Sequence, residues 1–446
     1  VDEERESETL VVRRKPRVWR RIALALLFLL LLALLALWLL RNQIAADYID
    51  RELARRGVKA TYRVKHIGFG TQRIEDLVLG DPKDPDLIAK MVELHLSWGF
   101  RRPRVSLIVG RGVRLKGRFE NGALHFGQVD RLFPSTGKGG PFRLPDQKVD
   151  IADAVIRLQT PVGAAAIALA GRGNLASGFE GRAKLVSAEL RIAGCRIARP
   201  VAEWVVSSEA LRPHVAGPVR AEGVDCGGEG AVRAARLDVD ATLAPGLDGW
   251  TGSTGVAAAE ARIGTRRLAA LAGRLSFDGT ARLTRGRADL AVAGFSGDGV
   301  AAGRSRVTGA YAVQPRAGRF TLDGDAAARG LAPPRAAVSG IVSALASARG
   351  TPVAAIGAAW SNALVAAGRS LDAHASLRVA VEGGRGAVRL TDLHAVSASG
   401  AKLDLRGGNG LSFAWPGAGL TVDGQLALSG GGLPTTLATL RQARPG

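Results

Sequence analysis

The sequence predicts a mainly β protein: one N-terminal transmembrane helix followed by a long, twisted antiparallel β-sheet with a few short helices. Three observations carry this. Residues Ile22 to Leu40 contain no charged or polar side chain. Most of the chain beyond Gly57 alternates apolar and polar residues with the period of two that half-buried strands require. Gly is abundant, at 58 of 446 residues, while only 5% are aromatic and 47% are hydrophobic, so the body is built from small side chains and many turns yet is too apolar for disorder.

Residues 1–21 begin acidic (Asp2, Glu3, Glu4, Glu6, Glu8) and end basic (Arg13, Arg14, Lys15, Arg17, Arg20, Arg21). The apolar stretch 22–40 reaches about 28 Å as an α-helix, close to the hydrocarbon thickness of a bilayer. It is longer than a signal-peptide core and is followed by Arg41, Asn42 and Gln43 rather than a small-residue cleavage site. Downstream, Arg51, Arg55 and Arg56 are diluted by Asp47, Asp50 and Glu52. The positive-inside rule therefore makes 1–21 a cytoplasmic tail. The expectation is a single-pass protein with its N-terminus cytoplasmic and everything after residue 41 exported, which in a bacterium means the periplasm. The sequence shows no second run of this kind, which excludes a multi-helix permease.

Residues 41–104 read as a membrane-proximal helix and strands. Ile44, Ala45, Tyr48, Ile49, Glu52 and Leu53 have helical spacing, and Gly57 is a C-cap choice. Strands are expected over Thr61–Leu79 and Ile88–Trp98, with a turn at Gly80–Pro85. Residues 105–446 form one long β region. Leu237, Val239, Ala241 and Leu243 alternate with Arg236, Asp238, Asp240 and Thr242. Asn121-Gly122, Asp278-Gly279, Asp323-Gly324 and Asp423-Gly424 read as hairpin turns, because such turns require positive φ. Their irregular spacing fits a meander rather than a solenoid or propeller. Pro200–Leu211 fits a helix or a strand. Pro333–Arg369 is Ala-rich with helical spacing, a helical insertion of two helices broken at Gly350–Pro352. After Gly431 no capping element is evident, and a bare last strand is an aggregation edge; the chain thus reads as the N-terminal portion of something longer.

The net charge of +21 would suggest nucleic acid in the cytosol. In an exported chain it meets anionic lipid or cell-wall polymers instead, or it simply solvates the surface; no nucleic acid is expected. The six histidines are scattered singly, and metal-ligand spacing, a G-x-S-x-G elbow and a Walker A loop are all missing. No catalytic constellation, metal site or cofactor is therefore expected. Cys195 and Cys226 are the only cysteines. In an oxidising compartment they can form a disulfide, although two buried free thiols would look the same in sequence.

A basic tail, one membrane helix and ELARRG, then YRVKHIGFGTQRIEDLVLGDP, VRLKGRFENGALHFGQVDRL and LPDQKVDIADAVIRLQTPVGAAAIALAGRGNL, resemble the YdbH members of the AsmA-like group, which also includes TamB and YhdP. The resemblance implies an inner-membrane-anchored, taco-like β-groove that carries phospholipids between the inner and outer membranes, with a small outer-membrane lipoprotein as partner. Pattern alone favours a closed sandwich core; membrane attachment and the resemblance reverse that preference toward an open groove. The candidate groove residues are Leu237, Val239, Leu243, Leu275, Phe277, Leu283, Leu290, Val292, Leu403, Leu405, Leu426 and Leu428. The competing expectation is an anchored scaffold for outer-membrane protein assembly, with the apolar strand face closed into a core.

Overall fold

A helix over residues 50–55 ends at Gly57, whose φ of +64° only glycine adopts without strain. The Gly57 amide donates to Ala54 O and the Val58 amide to Leu53 O, the paired bonds of a Schellman cap. This is the start of a computed structural model that describes residues 50–132, 144–332 and 370–443, together with the isolated position 362. Positions 52, 69, 99–102, 121–122, 193, 228–229, 298, 416–417 and 431–432 are outside the description. The expected membrane helix 22–40 and nearly all of the expected helical insertion 333–369 lie outside the described residues. Among the described residues no helix is long and apolar enough to cross a membrane.

Everything else of consequence is strand, and all strands belong to one sheet. The first three, β1 (Ala60–Ile67), β2 (Thr71–Asp81) and β3 (Asp84–Trp98), form an antiparallel meander. The turn between β2 and β3 falls within the expected span, with the Lys83 amide held by Asp81 Oδ1 at 2.9 Å. Next come β4 (Pro103–Arg111), β5 (Arg114–Glu120), β6 (Ala123–His125) and a 3-10 turn at Gly127–Leu132. The following strand, β7 (Lys148–Thr160), runs parallel to both β4 and β5. The sheet is therefore mixed, where the sequence pattern suggests a purely antiparallel one. The β6 hairpin and the long connection before β7 supply the crossover that parallel pairing needs, and alternation carries no signal for it.

Antiparallel pairing then continues through β8 (Gly163–Asn174) and β9 (Glu180–Val186). A small hairpin, β10 (Glu189–Ile192) and β11 (Cys195–Ala198), steps aside, so β9 pairs directly with β12 (Val201–Glu209). The ambiguous Pro200–Leu211 segment is thus mostly strand. The sheet proceeds through β13 (Arg212–Asp225), β14 (Ala231–Leu243), β15 (Gly249–Ala258), the short β16 (Glu260–Ile263) and β17 (Arg266–Thr280). From there it is a plain meander: β18 (Thr284–Gly297), β19 (Val300–Gln314), β20 (Arg319–Leu331), β21 (Leu371–Glu382), β22 (Arg385–Ser397), β23 (Lys402–Trp415), β24 (Ala418–Gly430) and β25 (Leu433–Ala443). The strands β20 and β21 are direct neighbours despite the residues between them. A disulfide joins Cys195 to Cys226, with Cα atoms 4.0 Å apart, and ties β11 to the end of β13.

Three of the four expected hairpin turns are overturned. Asp278-Gly279, Asp323-Gly324 and Asp423-Gly424 all lie within strands, paired with neighbours on both sides. The glycines serve close approach instead. A Cβ on Gly324 would sit 1.9 Å from Thr308 O, and one on Gly279 would sit 2.2 Å from Leu283 O, so only glycine fits these crossings. The fourth pair, Asn121-Gly122, lies outside the described residues; on either side of it Glu120 pairs with Ala123.

Near the N-terminal end a line of bulges crosses the sheet. Asp76 (φ +52°) in β2 and Asp153 (φ +55°) in β7 each add a residue against β1 and β8, and Gly112 (φ +62°) lies between β4 and β5. Lys90 takes the corresponding place in β3, between Ala89 and Met91, which pair with Leu77 and Glu75. The extra residue re-aims the side chains beyond it and increases the local bend. As a result, Ile74, Val92 and Ile151 on one side of the line share a sheet face with Leu79, Leu87 and Ile156 on the other.

Two clusters hold the core. The first packs Val58, Leu79 and Val129 with Leu53, Leu77, Leu87, Leu115, Phe126 and Leu132, so the short helix and the 3-10 turn form a cap over one end of the sheet face. Side-chain to main-chain bonds fix it: Lys59 N to Gln128 Oε1 at 2.7 Å, Gln128 N to Asp86 Oδ2 at 3.0 Å, and Arg131 to Gly57 O at 2.6 Å. The second cluster centres on Ala288, Leu322 and Leu377, and its members all come from β17–β22.

Candidate functional site: an apolar sheet face

Residues directly paired across strands point to the same face, so the register traces what that face presents. One row runs Ala60, Leu79, Leu87, Leu115, Ile156, Ile167, Leu185, Ala202, Val219, Leu237, Val256, Gly273, Leu290, Val307, Ala326 and Ala375. It crosses the sheet from β1 to β21 without a single polar side chain. At about 4.8 Å per strand the row covers roughly 70 Å. A parallel row through Val239, Thr254, Leu275, Ala288, Gly309, Gly324, Leu377, Leu390, Leu411 and Val422 carries the apolar face on to β24. Its one hydroxyl, Thr254 Oγ1, donates to Gly255 O at 3.1 Å and is thereby satisfied. On the same face, the buried Trp204 Nε1 has no hydrogen-bond partner.

The opposite face is charged. Arg306 donates to both carboxylate oxygens of Asp289 at 2.8 and 2.6 Å, Lys184 pairs with Glu203 at 2.8 Å, and Arg236 pairs with Asp238 at 2.8 Å. The Asp289 carboxyl is held below its ordinary pKa chiefly by the hydrogen bond from Arg306. These pairs are solvent-exposed, so each contributes little to stability. They keep the outer face wet and the two faces chemically distinct.

Eleven of the twelve sequence-predicted groove residues lie in strands and on the apolar face. Leu237 and Leu290 are in the first row, Val239 and Leu275 in the second. Phe277 pairs with Gly252, Leu243 with Trp250, and Leu403 and Leu405 with Leu428 and Leu426. Val292 reaches that face through Leu271. The exception is Leu283, which lies in the turn between β17 and β18, its carbonyl accepting from the Thr280 amide at 2.9 Å; extension of β17 to Thr280 moves the turn there. Sequence reasoning missed Trp250, Tyr311, Phe320 and Leu322, which join Leu275, Phe277 and Leu290 around an apolar concavity of about 600 Å³. Their signal was present in the same alternation, since each occupies an apolar position of a two-residue period. Tyr311 directs its hydroxyl to Ser276 O at 2.9 Å, and burial pushes its phenol pKa up.

This face is only half covered. Leu237 keeps 37% of its surface exposed, and among the described residues Leu405 is the only large side chain that is fully buried. The second cluster draws only on neighbouring strands, so its side chains shelter one another laterally across a curved face.

A single sheet of this span, apolar on one face and charged on the other, defines an extended β scaffold. A family model described as YdbH-like, intermembrane phospholipid transport protein YdbH, matches residues 29–445, and the chain belongs to that family. The family assignment makes phospholipid the class of cargo and the cell envelope the setting. Comparisons with curated proteins and with solved structures gave no match.

Proposed function

We propose that the chain is a single-pass, inner-membrane-anchored periplasmic conduit. Its apolar face shelters the acyl chains of phospholipids moving between the inner and outer membranes. The observation that carries the reading is the part of the first row beyond the cap, from Ile156 to Ala375, apolar on every strand it crosses. A lipid leaving a bilayer exposes about 0.8 kcal/mol worth of hydrocarbon per CH₂, or about 13 kcal/mol for a sixteen-carbon chain. A path lowers that barrier only where it stays apolar throughout, because a buried unpaired charge anywhere along it costs several kcal/mol. On this reading residues 22–40 hold the chain in the inner membrane and a small outer-membrane lipoprotein is a partner. The chain itself performs no chemistry.

Photo-crosslinkers at Val239, Leu275 and Leu426 are expected to capture phospholipid, and those at Asp238 and Ser276 on the charged face are not. Equal capture from both faces would sink the proposal. A closed-core scaffold is favoured by one observation only, the cap over Leu79 and Leu115; beyond the cap the face is half exposed.

A further inference from the structure

The charged face carries two concavities whose electrostatics differ. The larger, about 1070 Å³, lies over β17–β20, and its Arg274, Arg287 and Arg306 are matched by Asp289, Asp323 and Asp325. The other, about 750 Å³, lies beside the line of bulges. It gathers Lys90, Arg111, Arg114, Arg182 and Lys184 against only Asp153 and Glu203. Two of its cations are neutralised: Arg111 by Asp150 at 2.7 Å and Lys184 by Glu203 at 2.8 Å. Arg114 donates only to backbone carbonyls, those of Val113 and Asp153, and so keeps its full charge. Lys90 and Arg182 are both exposed.

The register shift of β7 against β8, between Ile151 and Ala154, lies beside this concavity, which β3, β4, β5 and β9 line with their cations. Arg111 is fixed by three bonds, to Gly110 O, Asp150 O and Asp150 Oδ1, so part of the cationic wall is already organised. Cations converging on a concave surface focus positive potential, and guanidinium forks beside an ammonium match the several oxygens of a phosphate. Val205, 59% exposed, lies in the floor. We propose that this concavity binds a phosphate group, carried either by a phospholipid headgroup or by a small soluble phosphate. The site is on the opposite face from the apolar rows and stands independently of the conduit reading.

The test titrates the full chain, held in an uncharged detergent, with inorganic phosphate and with short-chain phosphatidylglycerol. The double variant Lys90→Gln/Arg182→Gln is compared with Arg274→Gln/Arg287→Gln, which removes the same charge from the balanced concavity. Circular dichroism checks that both retain the β fold. The first variant is expected to weaken at least one ligand tenfold or more, and the second less than twofold. Stronger affinity for the lipid, lost in the first variant, identifies a headgroup; stronger affinity for inorganic phosphate identifies a soluble source. Equal losses in the two variants would reduce the effect to net charge and overturn the proposal. So would an absence of binding, or binding that the first variant leaves unchanged.

Discussion

Residues 50–230 and 231–443 use the same alternating pattern to make two different surfaces. The first stretch interrupts its meander with a crossover, a line of bulges, a side hairpin clamped by a disulfide and a cap of helix and 3-10 turn. Its apolar face is covered at one end by its own chain, and there it behaves as a conventional core. The second stretch contains almost nothing but long strands in sequence. Among the described residues its apolar side chains are sheltered only by their lateral neighbours. Alternation alone therefore does not decide between core and path; what lies above the face decides it.

The sharpest way to break this comparison is to place the same charge on both faces. Leu79 is 2% exposed beneath the cap, and Leu79→Asp should destabilise that end by about 3 to 5 kcal/mol, read as lost abundance and a lowered denaturation midpoint. Leu275→Asp should cost only about 1 to 2 kcal/mol and yet abolish lipid transfer in a vesicle assay. If both variants behave alike, the two regions do not differ as described.

The disulfide sharpens the contrast next. Cys195 and Cys226 are 31 residues apart, and removing the bridge with Cys195→Ser should withdraw about 3 to 4 kcal/mol by the loop-entropy estimate. The loss should localise to β10–β11, seen as new protease cleavage within 187–200 while β17–β25 stays protected. A smaller effect is expected in the meander from Gly386→Ala. The added Cβ would meet the Trp415 ring at 2.0 Å, so the indole must move, at about 1 to 3 kcal/mol; near-UV circular dichroism reports it. Gln128→Ala takes away the acceptor of the Lys59 amide in the cap and should cost about 1 kcal/mol, with faster hydrogen exchange at that amide.

The smallest effect is acid sensitivity at the bulges. Arg111 hydrogen-bonds Asp150 and lowers its carboxyl pKa. That stabilisation is present above the carboxylate's unfolded pKa and is lost as pH falls through the lower folded value. Both side chains are half exposed, so the expected change is slight. Thermal midpoints measured from neutral pH to below pH 4 should dip modestly, and Asp150→Asn should flatten the dip.

Much of this was legible in the sequence, for a physical reason. The two-residue period is local, so neighbouring residues alone set Leu237 and Val239 against Asp238 and Asp240, and eleven of twelve candidate residues fall on the apolar face. What failed depends on distant partners. Parallel pairing of β7 leaves no local trace. The cap segment Gly127–Leu132 is too short to show a helical period. The Asp-Gly pairs misled because glycine answers both to positive φ and to close backbone approach. In β17, β20 and β24 the second demand prevails.

The apolar rows run across the strands rather than along them, and this makes length a countable property. Every added hairpin lengthens the path by about 10 Å, leaves each neighbour's register untouched and delivers the new side chains to the same face. If the face is the conduit proposed above, such a sheet is a ruler with strands for graduations: duplicating or deleting hairpins fits it to a wider or narrower gap with no change to the surface it presents.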